Sequence, residues 1–180
     1  MIFRFILISD EAVNFKRIIE IDSEASFLSF NNAILDAVKF DKSQMTSFFI
    51  CNDDWEKEQE VTLIEMDSSS EYDNYVMEST QIDELVSEEG QKLLFVFDVF
   101  WERSFFIELV DIITGETLDK PRCTISEGKA PVQIMQEDAF TIPDKIALDD
   151  SFYGDEEFDI DEMDEEGFGE INFDENPSML

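Results

Sequence analysis

The densest mix of reactive side chains lies near the middle of the chain: Asp98, Trp101, Glu102 and Arg103. An arginine fork beside an aromatic face can receive a carboxylate or a phosphate through two parallel hydrogen bonds. The same spacing also describes a hairpin in which Asp98 caps turn amides and Arg103 closes an ion pair. Structural pairs outnumber ligand sites, so the hairpin reading ranks first and Asp98, Trp101 and Arg103 stand as a candidate surface site. A second group is Asp53-Asp54-Trp55. Two carboxylates before an aromatic suit either a cation contact or a turn that lays Trp55 on the core edge, and the turn is expected. Cys51 closes an apolar run and reads as a buried, inert thiol. Cys123 follows Arg122, which could lower its pKa, but no base or oxyanion donor accompanies it and a structural role is expected.

Histidine is absent from the whole chain. That excludes Ser-His-Asp and Cys-His nucleophilic systems in their usual form, and zinc held by histidine. No catalytic residue, cofactor site or metal site is assigned. An enzymatic alternative survives as a metal-dependent hydrolase or nuclease built on carboxylates. It requires Asp53, Asp54 and Asp98 to converge at the ligand distances of Mg or Ca, about 2.0–2.6 Å.

The last 32 residues, 149–180, hold fourteen Asp or Glu and no Lys or Arg. Apolar residues punctuate them at Phe152, Phe158, Met163, Phe168 and Phe173, one step of six residues and then three of five. Tyr153 accompanies the first. A calcium loop starting at Asp159 would continue through Asp161, but Met163 and Asp164 stand where the third ligand and the glycine belong. Five residues advance about 140° beyond a turn on a helix and alternate sides on a strand, so the anchors share no regular face. An extended chain that drops single side chains into separate pockets, with carboxylates meeting a basic rim, fits better. The expected ligand is therefore a basic protein partner, with carboxylates mimicking nucleic-acid phosphates as one route. A purely structural or solubilising tail is the bland alternative, and it needs no regular aromatic spacing.

Charge extends the same theme to the rest. Forty-five acids against 12 bases give a net charge of −33 in 180 residues. Residues 1–148 alone carry 31 acids and 12 bases. Such a field disfavours direct nucleic-acid binding, which needs cations to release counterions. Two distant cysteines with no apparent secretion signal read as free thiols in a cytoplasmic protein. No run approaches the roughly 18 apolar residues of a membrane span. Oligomeric state and partner identity are open at this level.

The elements that would position these groups follow from periodicity. Ile2–Ser9 and Phe15–Ile21 read as paired strands, with Phe15, Arg17, Ile19 and Ile21 on one face. Apolar residues at helical spacing predict the main amphipathic helix over 24–38, with Asp22 and Ser23 as caps. Further strands are expected at 46–52, 60–66, 92–98 and 104–113, with a loop at 68–73. A short helix at 81–85 is expected to end at Gly90. Residues around 121–131 show little periodicity and read as an irregular segment wrapping the sheet. The expected fold is α+β: a single mixed or antiparallel sheet of about six strands packed on one helix. Domain 1–135 is followed by a linker, 136–148, and a tail, 149–180, disordered unless bound.

Leu94-Phe-Val-Phe-Asp98, Trp101-Glu-Arg103 and Phe106-Ile-Glu-Leu109 together resemble the plasmid pRiA4b ORF-3-like family. Phe15-Lys-Arg-Ile-Ile-Glu-Ile, Pro121-Arg-Cys123 and Gly128-Lys-Ala130-Pro131 add to the resemblance. It covers about residues 1–135 and leaves out the tail. Val99-Phe100 replace the family's Gly-Asp, its His after the Trp is missing, and so is a later Gly-Gly. The resemblance implies an α+β fold with a mixed sheet and a helix, and no established reaction. The resulting expectation is a non-enzymatic binding or adaptor protein that works through its acidic tail.

Overall fold

Alternation of apolar and polar residues lays most of the chain into one sheet. The structure, a computed structural model, describes residues 1–65 and 75–134. The linker 136–148, the tail 149–180 and the loop at 68–73 lie outside the described residues. Residues Met1–Gln136 form one compact unit. Its strands are β1 (Ile2–Ile8), β2 (Lys16–Asp22), β3 (Ser47–Cys51), β4 (Lys57–Thr62), β5 (Tyr75–Val76), β6 (Lys92–Asp98), β7 (Arg103–Ile113) and β8 (Arg122–Glu127). They form an eight-stranded sheet in the order β5-β4-β3-β6-β7-β1-β2-β8. Every pairing is antiparallel except β4 with β5, so the sheet is mixed. The α+β class expected from the sequence holds, with two more strands than expected.

One α-helix among the described residues, α1 (Phe27–Val38), covers one face of the sheet. Its buried stripe is Phe27, Phe30, Asn31, Ile34, Leu35 and Val38, the spacing of a single helical face. Ser26 caps it, its side chain accepting the amide of Ser29 at 3.2 Å. Lys39 ends it in the left-handed conformation, with φ 60°. The helix thus starts three residues later than expected. Residues before the cap are committed elsewhere: Ala25 accepts the Ile82 amide and Ser26 forms a bridge with Gln81. Beneath α1 lie Phe3, Phe5 and Leu7 of β1, Ile19 and Ile21 of β2, and Phe95, Phe97, Phe105 and Ile107 of β6 and β7. Stacked and tilted rings join the layers, with Phe5 and Phe30 centroids at 4.6 Å and Phe30 and Phe48 at 5.3 Å. Such ring pairs add about 0.5–1.5 kcal/mol each to the gain from burial.

Three local expectations are corrected. Strand β4 occupies Lys57–Thr62 rather than 60–66, because pairing with β3 places Lys57 opposite Cys51 and Glu60 opposite Phe49. The expected helix at 81–85 is a 3₁₀ turn over Ile82–Glu84, fastened by the Glu84 carboxylate accepting the Gln81 amide at 2.8 Å. Gly90 does not end it; with φ 88° it turns the chain into β6 and donates its amide to Leu109. Residues 122–127 are no irregular wrap but the edge strand β8, paired with β2.

Candidate functional site

The face of the sheet away from α1 carries a row of charges. Arg4 of β1 stands opposite Glu20 of β2 and Asp111 of β7, and Glu20 stands opposite Arg122 of β8. Arg4 reaches both acids, and Arg122 donates to Glu20 at 2.6 and 2.8 Å. Two β-bulges make this alignment. One leaves Val110 unpaired and brings Asp111 opposite Arg4; the other skips Thr124 and brings Arg122 opposite Glu20. The result is an alternating ladder, Asp111–Arg4–Glu20–Arg122, across four adjacent strands. Glu20 is buried beneath its arginines. Burial alone would raise its pKa, but the bonds from Arg122 and Arg4 outweigh that and hold it below the usual carboxylate value.

The group singled out between β6 and β7 forms a tight turn. Oδ1 of Asp98 accepts the amides of Phe100 and Trp101 at 3.2 and 3.3 Å. Glu102 takes φ 51°, a left-handed conformation uncommon for a side-chain-bearing residue. These restraints project Val99, Phe100 and Trp101 outward; Phe100 is 97% and Trp101 61% exposed. Arg103 points the other way and is buried. Its fork grips Glu11 of the β1–β2 loop at 2.6–3.0 Å. Its remaining bonds go to the carbonyls of Val132 and Gln133 at 2.6 and 3.2 Å, with Asp98 at 3.5 Å. The Glu11 hydrogen bonds raise its pKa above the ordinary guanidinium value. Asp98, Trp101 and Arg103 are thus brought to one turn, where Arg103 is committed to two carboxylates and two carbonyls and presents no fork to a ligand. Glu11, Val13 and Val132 complete this region and were not singled out in the sequence. For Val13 and Val132 the available signal was a large apolar residue in a segment without periodicity; Glu11 carried none.

A second buried arginine works in parallel. Arg17 lies over the Phe15 ring at 4.5 Å and donates to the carbonyls of Ala37, Lys16, Glu127 and Gly128. Ala37 belongs to the last turn of α1, where a cation complements the helix dipole. Arg17 and Arg103 therefore hold the stretch from 127 to 133 by its carbonyl oxygens.

The remaining candidates separate. Asn52 Oδ1 accepts the amides of Asp54 and Glu56, closing the β3–β4 turn. Trp55, with φ 66°, folds edge-on against Phe106 at 5.0 Å, and the Lys92 ammonium lies 5.2 Å from its ring. Asp53 offers Lys92 its backbone carbonyl. Lys92 and Asp98 lie at opposite ends of β6, about 20 Å apart at ~3.3 Å per residue, so Asp53 and Asp98 do not share a cation. Among the described residues no three acids, cysteines or histidines gather as a metal-holding group. Both cysteines are free. Burial pushes the Cys51 thiol up, and partial desolvation does the same to Cys123, against the pull of Arg17. Neither is an activated thiolate. The tail residues Phe152, Tyr153, Phe158, Met163, Phe168 and Phe173 lie outside the described residues. No helix among the described residues is long and apolar enough to cross a membrane.

Comparison with known proteins places this geometry. No curated protein matches the chain. The crystal structure of a protein of unknown function from Methanosarcina mazei Go1 aligns with a TM-score of 0.54 at 12% identity, covering 69% of this chain and 68% of that one. That likeness shows a shared fold. The model of the plasmid pRiA4b ORF-3-like protein family matches residues 5–140, which take in the helix, both arginine clamps and all of the sheet except the start of β1. The chain belongs to the plasmid pRiA4b ORF-3-like family.

Proposed function

We propose that the protein is a non-catalytic binding protein of the cytoplasm whose acidic segment, 149–180, engages a basic protein partner. The observation that carries this reading is the segment's composition: fourteen carboxylates, no Lys or Arg, and anchors at Phe158, Met163, Phe168 and Phe173 in five-residue steps. Carboxylates alone would attract any cation, whereas evenly spaced apolar anchors select a surface with matching pockets. The folded unit supports this as a scaffold, since Arg17, Glu20 and Arg103 are all committed to internal pairs. Phosphate mimicry on a nucleic-acid-binding partner is one form the engagement can take.

The test uses the full chain with Phe158, Met163, Phe168 and Phe173 changed together to Ser, every acid retained. Affinity purification with quantitative mass spectrometry should show a set of basic proteins bound by the native chain and lost by the variant. An unchanged set of partners sinks the proposal.

A further inference from the structure

Six large apolar side chains remain exposed around the Arg103 clamp: Val13, Val99, Phe100, Trp101, Val132 and Ile134. They come from three separate segments, the β1–β2 loop, the β6–β7 turn and the stretch after β8. Arg103 ties these segments together through Glu11, Asp98 and the carbonyls of Val132 and Gln133. Glu11, Val13, Arg103, Val132 and Ile134 border one open groove. Val99, Phe100 and Trp101 do not line that groove; they stand together on the turn itself. Isolated exposed apolar residues are ordinary, but three consecutive ones on a fixed turn mark an interaction surface. The backbone is also specialised for display. Asp98 fixes two turn amides and Glu102 holds a strained φ of 51°, which the surrounding structure must sustain. A turn needed only to join β6 to β7 has no use for a nearly fully exposed Phe100.

Charge identifies the occupant. Asp98 and Glu102 bracket the turn, and Asp10 and Glu11 lie in the β1–β2 loop that Arg103 ties to it. From Ile134 the chain continues directly into residues 135–180, which hold 17 acids and one lysine. A second copy of this −33 chain and an anionic lipid surface are both repelled. We infer that the Phe100–Trp101 turn is a docking surface for a basic protein, inserting its aromatic rings into an apolar cleft on that partner. This rests on the proposed function for the partner's charge and adds a second, folded contact to that of the acidic segment. Two linked contacts raise affinity through effective concentration.

The experiment places a photoreactive benzoylphenylalanine at position 100, and separately at position 158, in the full chain inside cells. The expected result is that both positions trap one and the same polypeptide, rich in Lys and Arg. With that polypeptide purified, the F100S/W101S chain should bind at least about tenfold more weakly than the native chain, while its thermal midpoint stays unchanged. Trapping of a second copy, of lipid, or of nothing at position 100 overturns this inference even if position 158 succeeds. Trapping of a basic protein at position 100 alone refutes the tail reading and leaves the aromatic turn as the binding surface. Undiminished affinity of F100S/W101S for the purified partner overturns the inference as well.

Discussion

Replacing Arg103 by Met tests the central clamp. The native fork is 6% exposed and serves Glu11, Asp98 and two carbonyls at once. Methionine fills much of the volume but donates nothing. Asp98, 12% exposed, keeps its turn amides and loses its counter-charge. Glu11, 28% exposed, can turn toward water. Removing one partner of a fully buried pair costs about 3–5 kcal/mol. Rehydration of Glu11 moves this case to the lower end, about 3 kcal/mol. For a chain of this size that lowers the thermal midpoint by about 6–12 °C. Urea unfolding should show a lower midpoint at unchanged slope. Hydrogen exchange should show the stretch from 130 to 134 opening before the sheet, because its carbonyls have lost their donor. Lysine at 103 should recover only part of the loss, since one ammonium cannot span Glu11 and both carbonyls. A methionine variant within about 0.5 kcal/mol of the native chain, with exchange at 130–134 unaltered, refutes the clamp.

Two further outcomes are expected. Glu20→Gln should destabilise the fold by about 2 kcal/mol at neutral pH, the scale of lost hydrogen bonds between charged groups. The folded carboxyl titrates below its ordinary value of 4.5, so its contribution is present above that value and disappears as pH falls through the folded pKa. The gap between native and variant midpoints should therefore close in acid, and a pH-independent gap would contradict the ladder. Gly128→Ala should cost about 2 kcal/mol or more, because Gly128 has φ 67° and an added Cβ collides with the Asn14 carbonyl; calorimetry showing an unchanged midpoint would refute this.

The legible parts of the fold are those where burial writes itself into periodicity. Phe15, Arg17, Ile19 and Ile21 share the inner face as their alternation predicts, and Arg17 belongs there because its guanidinium reaches four carbonyls. Strand β8 was not legible because an exposed edge imposes no hydrophobic alternation; its place comes from pairing with β2 and from Arg122 meeting Glu20. Strand β4 was displaced by three residues because the apolar run after Glu60 outweighed Lys57 and Glu58, whose position is set by the Asn52 turn. At the candidate site, Asp98, Trp101 and Arg103 stood out by type. The partner that defines Arg103, Glu11, is 92 residues away, and no local pattern links the two. The bulges at Val110 and Thr124 were equally hidden, since a one-residue slip leaves no compositional trace.

The two arginines that hold residues 127–133 have a mechanical consequence. Strand β8 is the last strand among the described residues and lies at the edge of the sheet, where a pull along the following chain would ordinarily peel its hydrogen bonds from β2 one at a time. Here tension arriving from residue 135 meets the Arg103 bonds at Val132 and Gln133 first, then the Arg17 bonds at Gly128 and Glu127. Arg103 passes the strain to the β1–β2 loop and to the β6–β7 turn, and Arg17 passes it to the end of α1. A partner tugging on the C-terminal segment would thus strain the middle of the sheet and its helix before unzipping the edge.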